Sequence, residues 1–426
     1  MADPGLLPQA TDVLVVGAGP AGSAAASWVA RAGLDVVLAD AAQFPRDKTC
    51  GDGLTPRAIA ELQLLGLGEW VTGHGTNRGL RAAGFGQELL LPWPGGSLPD
   101  YGSAVPRTEL DDRIRTVALE SGATELQGAR AVDVVREGER ISAVRFRLDD
   151  GSHHEVACKR LVVADGARSP LGRVLGRQWH QDTAYGVAAR SYVRSGRSND
   201  EWISSHLELR GQEGELLSGY GWVFPLSNGE VNLGVGTLAT AKRPANVRLR
   251  ALVDLYARER REEWQLEGEV RHVASALLPM GGAVSGVAGP NWALIGDAAG
   301  CVNPLNGEGI DYGLETGRLV AALLSTEADL AVAWPALLRS HYGTAFSIAR
   351  RLAGLLTLPR LLPAAGPVGM RSKGLMGVAL RVMGNLVTEE DRDLTARAWR
   401  LAGRLSIKID NRPPFPAADL RVTAQG

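Results

Sequence analysis

The sequence predicts an α/β fold in which a Rossmann-like nucleotide-binding domain carries an inserted antiparallel sheet and is followed by a C-terminal helical region. Three stretches support this expectation. Asp12–Val16 is a short apolar run of the kind that forms a buried parallel strand, and it leads into Gly17-Ala-Gly19-Pro-Ala21-Gly22, an alanine-rich helix Ser23–Arg31 and a second strand Asp35–Ala39. From about residue 176 to 278 apolar and polar residues alternate as in half-buried strands. Leu352–Val387 is unusually apolar, with basic residues as punctuation.

In the first stretch Gly17 permits the turn, Gly19 lets a pyrophosphate approach the backbone, and Gly22 lets helix pack on strand. Asp40 ends the second strand 23 residues after Gly17, where a carboxylate can accept both hydroxyls of an adenosine ribose. The glycine pattern alone is weak evidence. Strand, helix, second strand and terminal acid together point to a dinucleotide.

The length of 426 residues exceeds one compact core and implies about two domains. A formal charge of −1 gives no reason to expect nucleic acid. Lys and Arg total 46, only five of them lysine, a bias that reads as codon usage rather than function. Cys50, Cys158 and Cys301 stand at unrelated spacings, which fits a reducing cytosol and excludes a disulfide framework or a cysteine-based metal site; no metal is expected. No leader is visible before the first strand, and no apolar run reaches the roughly 18 to 20 residues that spanning a membrane needs. A cytoplasmic protein is expected.

Residues 41–53 read as a loop, and Thr55-Pro56 opens a helix that ends near Gly66. Short antiparallel strands are expected over 76–105, a helix over Arg107–Ser121, and strands over 123–136 and 141–149. Leu161–Ala164 reads as another buried parallel strand, ending at Asp165-Gly166 and a short helix. In the alternating span the strands are Tyr185–Val193, Trp202–Arg210, Gly219–Leu226 and Glu230–Leu238, with Asn228-Gly229 as a hairpin turn. A charged amphipathic helix is expected from Arg243 to Trp264, after which the chain returns to the first domain.

The strand Trp292–Ile295 runs into Gly296-Asp297, a small-residue turn, and then Pro304, Gly307 and Gly309 at the mouth of a helix Glu308–Leu324. Such a segment brings backbone close to a ligand and aims helix N–H donors at it. A further helix is expected over 330–353. The apolar segment after it is either a helical cap buried on the first domain or an interfacial segment, with Arg351, Arg360, Arg371, Lys373 and Arg381 at lipid headgroups.

Three separated fingerprints, Gly17-x-Gly19-x-x-Gly22, Asp165-Gly166 and Gly296-Asp297, together resemble the glutathione-reductase-type flavoproteins of the aromatic-hydroxylase fold. Arg107 matches the arginine which that fold sets against the flavin. More specifically, Phe44-Pro45-Arg-Asp-Lys48-Thr-Cys50-Gly51-Asp52-Gly53 and Tyr220-Gly-Trp222-Val-Phe224-Pro225 resemble the geranylgeranyl reductase family, which saturates double bonds in isoprenoid chains. Leu217 stands where that family's signature leads with proline. With Asn303-Pro-Leu-Asn-Gly-Glu-Gly-Ile-Asp311, the chain is most similar to the bacterial menaquinone reductases within that family.

The resemblance implies a discontinuous FAD-binding domain over 1–75, 105–175 and 279–345. It implies an antiparallel-sheet substrate domain over 76–104 and 176–278, a helical and potentially membrane-facing region over 346–410, and a loose tail over 411–426. FAD is the implied cofactor, held by Gly17, Gly19, Ala21, Gly22, Asp40, Lys48, Cys50, Gly51, Gly53, Arg107, Asp165, Gly166, Gly296, Asp297, Pro304, Gly307, Gly309 and Ile310. The implied substrate is menaquinone or a similar polyprenyl lipid, saturated at the second isoprene unit from the ring. An unidentified electron donor and the inner face of the cell membrane are the other implied partners.

Strand alternation puts Tyr220, Trp222 and Phe224 on one face, with Pro225 following, as a flat wall for a planar alkene. Burying one five-carbon unit there is worth roughly 4 kcal/mol at about 0.8 per carbon group. An isolated alkene accepts hydride poorly, so a proton donor matters; Cys50 and Tyr220 are the catalytic candidates. A small buried thiol is the plainer account of Cys50. The rivals are a reductase of another prenyl lipid or prenyl diphosphate, a flavin halogenase or hydroxylase, and a prenyl-binding escort without chemistry. Halogenases carry Trp-x-Trp-x-Ile-Pro where this chain has Tyr-x-Trp-x-Phe-Pro, and the intact glycine and acid set argues against the escort.

Overall fold

The apolar runs stack as the centre of a parallel sheet. The computed structural model describes residues 7–49, 51–326 and 328–417. Among these, the first sheet has eight strands, and its parallel core runs Trp292–Leu294, His153–Val163, Ala10–Val16, Val36–Ala39 and Thr124–Leu126. Strands covered on both faces carry unbroken Val and Leu; Leu14, Val15, Leu161, Val162 and Leu294 are wholly buried. Helices Pro20–Arg31, Ile310–Leu324 and Leu330–Leu356 contribute Ala25, Val29, Tyr312, Val320, Trp334 and Leu338 to the same core.

Two expectations for this sheet are corrected. The strand expected at Leu161–Ala164 begins at His153, because its first half pairs antiparallel with Arg140–Leu148 before its second half enters the parallel core. The strand expected over 123–136 is two, Thr124–Leu126 and Ala129–Glu137, broken at Gly128, where a φ of 65° turns the chain out of the core.

The second sheet has seven described strands, ordered Leu266–Leu278, Tyr185–Ser195, Glu230–Ala239, Gly219–Pro225, Ile203–His206, Gly79–Gly84 and Gln87–Pro92. It is antiparallel except where Gly79–Gly84 lies parallel to Ile203–His206, the seam at which two separate excursions of the chain meet. Val223, Val231, Leu233 and Val235 pack under helix Leu249–Glu259. That burial occupies one face and leaves Tyr220, Trp222 and Phe224 on the other.

Here too the sequence expectation needs correction. Leu266–Leu278 was not anticipated as a strand: it is a sheet edge on which Leu266 alone is fully buried, so the usual alternation is missing. The helix expected from Arg243 to Trp264 is only Leu249–Glu259, and Arg243 turns back on Thr240 instead. The strand expected over 202–210 stops at His206.

The apolar C-terminal segment folds as Leu361–Met370 and Lys373–Met383, followed by Leu394–Lys408. No described helix is long and apolar enough to cross a membrane. Of the five basic residues expected at headgroups, Arg381 is ion-paired with Asp391 and Asp393, and Arg351 is hydrogen-bonded to Ser406 and to Ile409 O. Arg360, Arg371 and Lys373 are exposed. Residues 411–417, expected to be loose, are tied down: Phe415 is fully buried and its N–H donates to Gly282 O at 2.8 Å. The rest of that tail, 418–426, lies outside the described residues.

Helices Pro20–Arg31 and Ile310–Leu324 cross at backbone contact. A side chain begun at Gly317 would stand 2.7 Å from Ala21 O and 2.8 Å from Ala25 N. Gly317→Ala is therefore expected to cost about 1–3 kcal/mol through overpacking. Gly354→Ala, on a helix position with nothing within 4 Å, should gain about 0.5–1 kcal/mol. Thermal melts of the two variants check this; shifts of the same sign would contradict the close crossing.

Candidate functional site

The glycine-rich corner is built by strand-to-helix geometry. Gly17 has φ 107°, and a Cβ there would meet Ala164 O at 2.3 Å, so the loop sits directly on the end of strand His153–Val163. Asp40 fastens it: the Ala18 N–H donates to Asp40 Oδ2 at 2.7 Å and the Ala42 N–H to Oδ1 at 2.8 Å. Each carboxylate oxygen keeps acceptor capacity for a further donor. Gly19 caps helix Pro20–Arg31 without a side-chain cap, leaving the first-turn N–H groups for a ligand. In front of Gly19, 3.4 Å from where a side chain would begin, stands the Arg46 guanidinium.

The other two corners converge on the same place. Lys48 Nζ lies 3.4 Å from the Cβ position of Gly166, and its charge acts on Asp297. Asp297 Oδ1 faces Gly309 at 3.0 Å from its Cβ position. Burial raises the Asp297 pKa, and Lys48, Arg107 and Arg177 oppose the rise. Asp165 is raised mainly by burial as well; its Oδ2 accepts the Leu171 N–H at 2.8 Å, holding the turn into the short helix Pro170–Val174. Buried Arg107 grips Asp111 with two bonds, 2.6 and 2.8 Å, and Arg46 joins the same carboxylate at 2.9 Å. Two arginines on one carboxylate leave a local excess of positive charge, suited to a pyrophosphate.

The turn Asn303–Glu308 bonds to itself: Asn303 N–H donates to Glu308 O and Gly307 N–H to Asn303 O. It delivers Gly309 as the cap of helix Ile310–Leu324, again without a side-chain cap. Pro304 and Ile310 are buried behind this turn, and Gly296 packs against Ala21.

Over this cradle lies the aromatic wall. Trp222 and Phe224 stack with centroids 6.1 Å apart, and Tyr220 tilts against Trp222 at 6.0 Å. A Cβ at Gly53 would fall 2.9 Å from the Phe224 ring, and one at Gly51 3.2 Å from it, so the loop runs directly beneath the wall. Buried polar bonds fix the pairing: Trp222 Nε1 donates to Asn232 Oδ1 at 2.8 Å, and Asn232 Nδ2 donates to Asp52 Oδ2 at 2.8 Å. Arg190, buried within its strand, pairs with Asp47 and donates to Lys48 O at 3.0 Å. At the far end, Phe224 packs with Met370, Leu380 and Leu386 of the C-terminal region, and Pro225 is buried at the strand's end.

Every other site residue read from the sequence is among those brought together here; Cys50 lies outside the described residues. Sequence reasoning missed Arg46, Asp52, Arg190 and Asn232. An arginine in mid-strand was the one available signal, since the partners of the other three lie far off in the chain.

Residues 10–329 match the FAD binding domain family. Over 407 residues the chain is 64% identical to a menaquinone reductase of Mycolicibacterium smegmatis, covering 95% of this chain and 98% of that protein. It is 30% identical over 321 residues to digeranylgeranylglycerophospholipid reductase 1 of Methanopyrus kandleri, covering 74% and 80% of the two chains. A geranylgeranyl bacteriochlorophyll reductase-like protein of Thermoplasma acidophilum, a solved structure, superposes with a TM-score of 0.70 over 93% of this chain and 96% of its own. Its 19% identity carries the fold alone.

Burial pushes the Asp52 pKa from 3.8 up to about 6, against the hydrogen bonds of Asn232 and Tyr192 and the charges of Arg190 and Arg107. The folded state thus favours the protonated form, and the stability this gives is present below pH 3.8 and lost as pH rises through about 6. Asp52→Asn is isosteric and stays neutral. Its melting temperature should therefore rise relative to wild type across that window; a constant difference would show Asp52 ionised throughout.

Proposed function

The chain belongs to the FAD binding domain family, in the group that holds the bacterial menaquinone reductases, and on that premise we propose that it saturates an isoprene double bond in the menaquinone side chain. The reading rests on one observation: the Tyr220–Phe224 wall lies directly over the Gly51–Gly53 loop of the nucleotide cradle. FAD fits that cradle. The space before Gly19 is bounded by a guanidinium rather than by apolar packing, and two uncapped helix starts supply N–H donors. In this reading Arg46, Lys48 and the Gly17–Gly22 loop hold the pyrophosphate, Asp40 the ribose, and Asp297 with the Gly307–Gly309 turn the flavin end. When reduced by its electron donor, bound FAD supplies the hydride.

The protein's own part is orientation and proton supply. Trp222 and Phe224 offer a flat apolar surface that excludes water and sets a planar alkene beside the loop. The tail binds by burial alone, which selects a prenyl lipid over a charged substrate. The second isoprene unit from the ring is the bond we assign. Cys50 and Tyr220 are the candidate proton donors; the Tyr220 hydroxyl donates to Asn306 O at 2.5 Å.

Deleting the gene should leave menaquinone lighter by two hydrogens, read by mass spectrometry of extracted quinones. Unchanged quinones would remove this substrate. In the purified enzyme, Trp222→Ala should keep FAD and lose at least about tenfold in side-chain reduction. In the same assay, Cys50→Ala or Tyr220→Phe running at the wild-type rate would strike that residue from the mechanism.

A substrate dissolved in lipid must be met at the bilayer. Helices Leu361–Met370 and Lys373–Met383 expose Val368, Leu375 and Val378 among Arg360, Arg371 and Lys373. We assign this face to the inner surface of the cell membrane. Val368→Ser with Leu375→Ser should weaken sedimentation with anionic lipid vesicles severalfold, and equal sedimentation would refute the assignment.

A further inference from the structure

We propose that Glu308, Asp311 and the polar cavity behind them form an internal proton route that recharges the alkene-reducing pocket, an inference that rests on the reductase reading above. The route starts at the aromatic wall. Asn306, whose carbonyl receives the Tyr220 hydroxyl, donates through Nδ2 to Glu308 Oε2 at 3.3 Å, and so sets the carboxyl beside the wall without itself carrying a proton. Glu308 Oε1 shares a short hydrogen bond with the Thr55 hydroxyl, at the foot of the Gly51–Gly53 loop. A hydroxyl both donates and accepts, so Thr55, by turning about its Cβ–Oγ bond, can take the Glu308 proton on its oxygen and release its own.

Glu308 keeps some accessible surface as a residue, but its carboxyl is enclosed by protein. Burial, and next the charge of Asp311, raise its pKa well above the usual carboxyl range; Thr55, Asn306 and Arg57 pull it down. Asp311 is fully buried, and its Oδ2 accepts from Asn385 Nδ2 at 3.0 Å. Its Oδ1 is buried with no partner in hydrogen-bond geometry. Burial lifts Asp311 to about 6 against Asn385, the Tyr312 amide and Arg57, with Glu315 adding to the rise. The charge of Asp311 thus disfavours ionisation of Glu308 while Asp311 is itself a carboxylate.

Arg57, Tyr312, Glu315 and Asn385, which surround this pair, line one side of a cavity of about 310 Å³. Its other side includes His341 and Glu389, both exposed. Arg57 stands 3.7 Å from Glu315, and the Tyr342 hydroxyl donates to Glu315 at 2.9 Å. Arg318 on the same helix stands 3.9 Å from Glu315, and buried Cys301 feels the charges of Asp311 and Glu315.

Each alkene saturated takes one hydride, supplied by the reduced cofactor, and one proton. The aromatic wall that excludes water from the alkene also blocks direct refilling from solvent. A carboxyl at Glu308 that releases its proton toward the pocket becomes a carboxylate and takes a replacement through Asp311 from the cavity.

The test uses the full-length enzyme with FAD bound. Infrared difference spectra of wild type should show a protonated-carboxyl C=O stretch at neutral pH that E308Q lacks. In single turnovers with short-tailed menaquinone, product formation in wild type should fall as pH rises through the raised Glu308 pKa. E308Q should be at least about tenfold slower and lose that dependence. D311N should be slowed and restored by imidazole or formate, weak acids small enough for the cavity. An unchanged carbonyl band in E308Q, wild-type pH profiles in both variants, or a slowed D311N that no weak acid restores would each overturn the route. A wild-type enzyme that leaves the tail unsaturated would sink the reductase reading instead, while the carbonyl band still judges the route.

Discussion

Gly313 and Gly317 present no side chain toward helix Pro20–Arg31, and the two helices cross with their backbones in contact around Ala21. The same Ala21 lies against Gly296, so one small residue registers the first and third glycine corners on each other. Both helices start at glycines without side-chain caps, and the crossing aims both starts into one cradle. Any larger residue at this contact would part the helices and separate the two ends of the ligand they serve. The dense packing of the parallel core holds the contact from below, since Val and Leu runs buried on both faces allow no sliding.

The second sheet is attached to that cradle by directed polar bonds rather than by apolar contact alone. The chain Trp222–Asn232–Asp52 is buried, and buried Arg190 reaches out to exposed Asp47 and to Lys48 O; each needs a particular geometry. Apolar surfaces tolerate small slips; a buried hydrogen-bond network does not, because a broken member is left unsatisfied in low dielectric. The position of the aromatic wall over the loop is thereby fixed. The wall's other end packs in one apolar cluster with Met370, Leu380 and Leu386, so the C-terminal region also braces the pocket.

Most of the first sheet was legible because doubly buried strands and glycine corners leave marks in consecutive residues. Asp12–Val16, Asp35–Ala39 and the Gly17–Gly22 turn needed nothing beyond a short window of sequence. The edge strand Leu266–Leu278 was not legible, since an edge exposed along its length carries no burial pattern. Arg46, Asp52 and Asn232 were invisible for another reason: each takes its meaning from a partner between about 65 and 180 residues away, and no local pattern encodes that pairing. The break at Gly128 was written in the sequence as a glycine, but its effect depends on a sheet whose neighbours were still unknown.

The cradle's two halves are joined across about 290 residues, from Pro20 to Ile310, and Val163 must wait for Leu294 to complete the parallel core. Closing so long a loop costs entropy and time before any contact repays it. On the ribosome, about three quarters of the chain has emerged before the helix that completes the cradle exists. The second sheet, by contrast, has all its strands by residue 278. The inserted sheet thus has all its strands while the nucleotide fold still lacks its strand Trp292–Leu294 and the helix Ile310–Leu324.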